Sequence, residues 1–340
     1  MNSALAAGAD HLTRGGTVRT SPGPRLLFVH GIGGPRDAAD ELGKWLRSLA
    51  TGVRAAGHPQ LVSGLTMGWA AESRFADYSD LYLPRQAQGG QDGELYDEEA
   101  AIVAELLAEM VDSRLPDADE LLRRRLLAIR EQLHPTGQEQ GPGHHVRRLG
   151  YLCTSLLSLP GLQQAAQWAS GRRLLAAVSQ VGRYLGRRTA PGDDRPLDVL
   201  ARERVLAQLD PDRPSVIVAH SLGTVVALEA LQEYPGPVPL FVTLGSPIAT
   251  PALVLPRLRP QPVRTPECVE QWLDFWHRDD IVVPKRPIDT CVAANTAGVQ
   301  PRSRPVHSDG LWVHNATTYL AQREVADGIV TAVTAAVTRV

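Results

Sequence analysis

The chain has 340 residues, of which 43% are hydrophobic and 21% charged, enough for one large α/β domain or two small ones. Its formal net charge of −2 gives no electrostatic reason to expect binding to nucleic acid or to an anionic membrane. Its three cysteines are odd in number and widely spaced, which favours free thiols in a reducing compartment over a disulfide framework.

The N-terminal residues do not resemble a targeting segment. Residues 1–24 lack the apolar core of a signal peptide, so we expect a flexible N-terminal tail. No stretch reaches the roughly 18 uncharged apolar residues of a membrane span. The sequence therefore predicts a cytoplasmic protein without integral membrane association, and it gives no indication of the oligomeric state.

The first elements alternate between strand and helix. Residues 25–30, RLLFVH, form a short apolar run that is typical of a strand buried on both faces of a parallel sheet. The pattern predicts a helix as far as about Ala56 and a second strand over residues 61–69. This order predicts an α/β fold with a mostly parallel central sheet flanked by helices.

The pattern then changes to almost pure helical periodicity over residues 94–187. Apolar residues such as Ile102, Leu106 and Met110 recur at helical spacing. We interpret this region as a helical insertion, either a cap or lid or simply a set of extra core helices. The division that follows is a core of residues 25–93 and 188–340 and an insertion of residues 94–187.

Strand signals return after the insertion. A helix is predicted over residues 198–209, followed by strands over 215–219, 238–244 and 268–276. The chain is predicted to end in a single helix over 317–337. The Pro- and Arg-rich residues 251–266 and 301–306 are predicted to be loops.

The most informative stretch is residues 216–224, VIVAHSLGT. An apolar, β-branched run ends at Ser221 between small residues, and a helical pattern begins at once. A strand, a sharp turn and a helix are the setting of a nucleophile elbow, although Ala219 stands where glycine is usual. The N–H of Leu222 at the helix start is a predicted donor to an oxyanion.

A serine nucleophile needs a base within hydrogen-bond reach, and the base is usually a histidine held by a carboxylate. Asp279 and Asp280 follow the predicted strand that ends at Trp276. The histidines beyond them are His307, in a polar loop, and His314, just before the terminal helix. His314 is the favoured base, because it ends the short apolar piece 311–313 and directly precedes the predicted terminal helix, whereas His307 has the context of a surface residue.

A glycine-rich loop, residues 30–34 or HGIGG, follows the first strand. Glycines let a backbone approach a substrate closely, so this loop is predicted to supply the second oxyanion donor. We assign the N–H of Ile32, with that of Gly33 as the alternative. The loop lacks the spacing of a dinucleotide fingerprint and the cysteines lack metal-ligand spacing, so neither a cofactor nor a metal is predicted.

Five segments resemble the α/β-hydrolase superfamily, specifically its lipase and esterase branch. They are residues 27–34, 216–224, 242–247, 276–284 and 314–320, a minor fraction of the chain. Lipases of this fold carry their acid in a turn like 280–284, DIVVP, so the resemblance favours Asp280 over Asp279. It implies an α/β-hydrolase fold with a triad of Ser221, Asp280 and His314.

The expected function is therefore that of a serine hydrolase. It would cleave a carboxylic ester or related acyl bond of a small-molecule substrate through an acyl-enzyme on Ser221. One alternative keeps the triad but uses an acceptor other than water, as in an acyltransferase or a macrocyclase/thioesterase. A further alternative is a non-catalytic interaction protein on the same fold, which the fold by itself would not exclude.

Overall fold

The structure is a computed structural model. It describes residues 23–31, 33, 37–82, 97–133, 142–159, 171–187, 189, 193–251, 253–280, 282–284, 287–308 and 313–339. All but the last two residues of the expected N-terminal tail, residues 1–24, lie outside this part of the chain. So do Ile32 and most of the piece at 311–313 that precedes His314.

A six-stranded sheet forms the centre of the molecule, with strand order β2-β1-β3-β4-β5-β6. Every neighbouring pair runs parallel. This confirms the predicted α/β class and the parallel sheet. The strands are β1 (Arg25–Val29), β2 (Glu72–Ala76), β3 (Ser215–His220), β4 (Leu240–Leu244), β5 (Trp272–His277) and β6 (Pro301–Val306).

Helices cover both faces of the sheet. In β1, Leu27 and Val29 pack into one core, and Leu26 and Phe28 pack into the other, as the alternation of side chains along a strand requires. The helices of the described residues are α1 (Ala38–Ala55), α2 (Val62–Thr66), α3 (Asp97–Asp112), α4 (Glu120–Leu133), α5 (Pro142–Leu157), α6 (Gly171–Gly186), α7 (Leu197–Leu206), α8 (Leu222–Leu231), α9 (Ala316–Leu320) and α10 (Arg323–Arg339).

Helices α3 to α6 lie within the region that the sequence predicts to be helical. Helix α6 packs against α3 and α5, and α4 packs against α3. Their buried side chains, Leu107, Leu126 and Leu152 among them, belong to the same core as α8 and one face of the sheet. The helical region therefore shares its core with the sheet.

The second predicted strand, over residues 61–69, is wrong. This segment forms a short 3-10 turn and α2, in which Val62 and Leu65 are buried three residues apart. Met67 and Trp69 are 64% and 75% exposed, so the segment does not have a buried strand face. The strand that pairs with β1 lies further along the chain, at β2, in register from its first residue.

Two further differences concern the C-terminal part. Residues 301–306, predicted to be a loop, form β6, which lies at the edge of the sheet and pairs with β5 over six residues. Proline lacks the backbone N–H that pairs with a neighbouring strand. It is tolerated in an edge strand, because one side of that strand has no partner. The single predicted terminal helix is two helices, α9 and α10, with a break at residues 321–322.

Candidate active site

Because every strand runs in the same direction, the strand ends bring distant parts of the sequence to one edge of the sheet. Ser221 directly follows β3, and Asp280 lies three residues after β5. The glycine-rich loop directly follows β1, which pairs with β3 along its whole length. His314 precedes α9 and completes this cluster.

The backbone at Ser221 has the conformation of a tight, strained turn, with φ 55° and ψ −131°. A non-glycine residue with positive φ is uncommon and costs of order 1–3 kcal/mol, and such strained residues cluster at active sites. Neighbouring glycines make the turn possible. A Cβ atom on Gly223 would overlap the His30 carbonyl, and one on Gly31 would lie 2.5 Å from the Ser221 Cβ.

The structure brings Ser221, His314 and Asp280 together in one hydrogen-bonded series. The Nε2 atom of His314 lies 3.0 Å from the Ser221 Oγ, and its Nδ1 atom lies 2.7 Å from the Asp280 Oδ2. A carboxylate only accepts hydrogen bonds, so Nδ1 carries the proton and Nε2 accepts from the serine hydroxyl. All three residues are at most 2% exposed, which strengthens these interactions.

The surroundings of Asp280 favour its ionised form. Burial by itself would raise the pKa of Asp280, but His314, the Tyr319 hydroxyl and the Val282 N–H together hold it below its ordinary value. The hydroxyl of Tyr319 donates to the Asp280 Oδ2 at 2.8 Å, and the Val282 N–H donates to Oδ1 at 3.0 Å. Tyr319 in turn accepts from the His277 N–H at 3.0 Å, so its position is determined from both sides.

The alternative residues lie outside this series. The side chain of Asp279 is 54% exposed and lies 4.0 Å from His277. Its carbonyl accepts a hydrogen bond of 3.0 Å from Arg114, which follows α3. His307 is exposed. Of the two aspartates and the two histidines that the sequence offers, only Asp280 and His314 belong to the hydrogen-bonded series with Ser221.

The oxyanion donors are only partly described. Leu222 is the first residue of α8, so its N–H has no intrahelical acceptor and lies beside Ser221. The predicted second donor, Ile32, lies outside the described residues. The alternative, the Gly33 N–H, donates at 2.9 Å to the side chain of Gln180 in α6.

Two other histidines, His30 and His220, are buried beside the site. His30 is buried, and its Nε2 lies 3.0 Å from the Asp77 Oδ1. Burial opposes the charge of Asp77, but the hydrogen bonds from His30 and Ser79 outweigh it, and the pKa of Asp77 lies well below its ordinary value. The ring of His220 lies 4.8 Å from that of His314, so it packs behind the base.

Sequence reasoning missed two residues of this site, Tyr319 and Gln180. Tyr319 looks like an ordinary core residue of a terminal helix, and Gln180 like a polar position in the helical region. No local pattern marks either of them, since their roles depend on partners 39 and 147 residues away in the sequence.

Within the part of the chain that the structure describes, no group of three or more His, Cys, Asp or Glu residues is arranged to hold a metal ion. The described helices include none that is both long and apolar enough to cross a membrane. No protein-family model matches the chain, and searches of curated proteins and of solved structures found no match either.

Proposed function

We propose that this chain is a serine hydrolase of the α/β-hydrolase type, which cleaves a carboxylic ester or related acyl bond. The observation that carries the proposal is the buried series Ser221–His314–Asp280, with contacts of 3.0 and 2.7 Å. A serine hydroxyl is a weak nucleophile unless a base accepts its proton, and a carboxylate must orient that base. The strained backbone of Ser221 is a second, independent support.

The proposed reaction has two steps. The Ser221 Oγ attacks the acyl carbon while His314 Nε2 accepts its proton, and Asp280 stabilises the resulting imidazolium. The Leu222 N–H and a donor from the loop after β1 bind the oxyanion. His314 then protonates the leaving alcohol, and a water molecule, deprotonated by His314, releases the acid from Ser221.

The helical region is proposed to act as a cap over this site. Two contacts support this role, because they reach loops on opposite sides of Ser221. Arg114 donates to the carbonyl of Asp279, in the turn that carries Asp280, at 3.0 Å. Gln180 pairs with Gly33 in the loop after β1. A cap held in this way would select the acyl chain of the substrate.

The test is turnover of p-nitrophenyl esters of increasing acyl length. Ser221→Ala should lower kcat by about 10³-fold or more, since removal of any triad member leaves only the oxyanion site and binding. Ser215→Ala, at the opposite end of the same buried strand, is the matched control and should retain activity. Turnover by Ser221→Ala at the wild-type rate would overturn the proposal. Added alcohol or amine acceptors distinguish hydrolysis from acyl transfer by their products.

A further inference from the structure

Gln180 in α6 joins the helical region to the glycine-rich loop through both ends of its carboxamide. The Gly33 N–H donates to its Oε1 at 2.9 Å, and its Nε2 donates to the Gly33 carbonyl at 3.1 Å. A side-chain amide has one acceptor and one donor group side by side, so it pairs with a peptide in the way that a neighbouring strand does. The two bonds determine both the position and the orientation of Gly33.

The same face of α6 also contacts the helix that begins after Ser221. Tyr184 lies four residues beyond Gln180, on the same side of α6, and Arg187 directly follows the end of α6 at Gly186. The Tyr184 hydroxyl donates to the Glu229 Oε2 at 2.7 Å, and Arg187 donates to the Glu229 Oε1 at 2.6 Å. Glu229 lies in α8 and is 2% exposed. Helix α6 is therefore tied to α8 by buried, charge-assisted bonds.

These contacts attach α6 to two elements that flank Ser221. One is α8, which begins at Leu222 and which Tyr184 and Arg187 contact at Glu229, seven residues further along. The other is the loop in which Gly31 lies against Ser221 and Gly33 pairs with Gln180. The spacing between the two elements depends on α6, because α6 is hydrogen-bonded to each of them.

We propose that Gln180 is a positioning residue for the oxyanion site. It holds the loop after β1 at the distance from Leu222 that a tetrahedral intermediate requires. It also takes up the Gly33 N–H, so Gly33 is not the oxyanion donor from this loop. The inference rests on the proposed function, since an oxyanion site has no role in a protein without a nucleophile.

The first test removes the clamp. In Gln180→Ala the loop loses both bonds, and a small displacement of an oxyanion donor is expected to lower kcat by about 10- to 100-fold. The KM for a short ester should stay within about threefold, since Gln180 is assigned no contact with the acyl group. The control is Gln232→Ala. Gln232 directly follows α8 and donates a hydrogen bond of 2.9 Å to the Arg264 carbonyl, so this variant also loses a glutamine-to-backbone bond but should leave kcat unchanged.

The second test uses a side chain whose pairing changes with pH. In Gln180→Glu the ionised carboxylate accepts from the Gly33 N–H but repels the Gly33 carbonyl. The protonated carboxyl has an acceptor and a donor, as glutamine does. The ratio of its kcat to that of wild type should rise several-fold from about pH 8 to about pH 5, and the division removes any pH effect that the two enzymes share. The positive charge of Arg183, one turn further along α6, favours the ionised form of a glutamate at position 180. The Tyr184 hydroxyl is already paired with Glu229.

The outcomes separate this inference from the proposed function. If wild type hydrolyses esters and folded Gln180→Ala has the same kcat within about threefold, the inference is wrong and the proposed function stands. If both variants are impaired but the Gln180→Glu ratio does not change with pH, Gln180 is only a packing residue, and the inference is again wrong. If wild type neither hydrolyses esters nor is labelled at Ser221 by a fluorophosphonate, the proposed function fails and this inference fails with it.

Discussion

Strand β5 and the turn after it place one buried carboxyl in the interior of the sheet and another at its edge. Asp274 is 4% exposed, and Asp280 is 1% exposed. Burial raises the pKa of Asp274 to about 6, although the Ser303 and Thr243 hydroxyls donate to it at 2.5 and 2.8 Å. The pKa of Asp280 lies below its ordinary value despite equal burial, because His314 faces it.

Burial alone therefore does not identify a functional carboxylate. Asp274 sits in register with Thr243 and Ser303 on the neighbouring strands, so two neutral hydroxyls face it, and the charge of Asp289 raises its pKa further. Asp280 lies beyond the last sheet pair, where the loops bring it an imidazole. The carboxyl in the sheet interior therefore loses its proton at a higher pH than an ordinary Asp, and the carboxyl at the edge loses it at a lower pH.

The substitution expected to have the largest effect is at Asp280, the carboxylate at the edge of the sheet. Asp280→Asn removes the acceptor that keeps the proton on His314 Nδ1, so Nε2 carries the proton and no longer accepts from Ser221. We expect kcat for an activated ester to fall by about 10³- to 10⁴-fold. Asp279→Asn, one residue away and exposed, is the matched control and should change kcat by less than about threefold. Equal loss in both variants would contradict the assignment.

The next prediction concerns Asp274, the carboxyl inside the sheet, and the free energy of unfolding. The folded chain binds the Asp274 proton more tightly than the unfolded chain, so its ionisation destabilises the fold as pH rises from 3.8 to about 6. Asp274→Asn should therefore gain about 3 kcal/mol in free energy of unfolding relative to wild type between about pH 3 and about pH 8. Urea unfolding at both pH values measures this gain.

The control for this prediction is Asp212→Asn, at an exposed carboxyl, whose stability relative to wild type should change little with pH. Activity of Asp274→Asn on esters should stay within about threefold of wild type, because Asp274 touches none of the proposed catalytic residues. A stability difference that is the same at both pH values would mean that Asp274 is ionised in the fold without cost.

The smallest effect concerns the residue that supports Asp280. Tyr319→Phe removes the hydroxyl that donates to the Asp280 Oδ2 at 2.8 Å, so the pKa of Asp280 should rise. A hydrogen bond to a charged group contributes about 1.5–3 kcal/mol, and we expect kcat to fall about tenfold with little change in KM. Tyr234→Phe, which loses a bond of 2.7 Å to the Asp210 carbonyl away from the site, should leave kcat unchanged.

The residues at the edge could be predicted because each follows a local pattern. Ser221 ends a buried strand and begins a helix, and a glycine-rich loop ends the first strand. Asp280 and His314 lie in turns next to predicted elements. These signals are short-range, and parallel strands necessarily bring their ends together. The α/β class and the positions of β1, β3, β4 and β5 could be predicted for the same reason.

Features that depend on pairing across the sequence could not be predicted. Residues 61–69 and 72–76 are both partly apolar, and only the register with β1 determines which of them is the strand. Strand β6 has two prolines, and its pairing with β5 is invisible locally. The hydroxyl pair around Asp274 and the contact of Gln180 with Gly33 likewise join residues that are far apart in the chain.

Covalent labelling of the folded protein with a fluorophosphonate, followed by peptide mapping, shows directly whether Ser221 is the nucleophile. We expect a single adduct on Ser221, which is absent in Ser221→Ala and forms far more slowly in His314→Ala. Ser246 is an informative alternative, since its hydroxyl lies 2.9 Å from that of Thr224, three residues after Ser221 in the first turn of α8. An unlabelled wild-type protein, or an adduct on Ser246, would contradict the account.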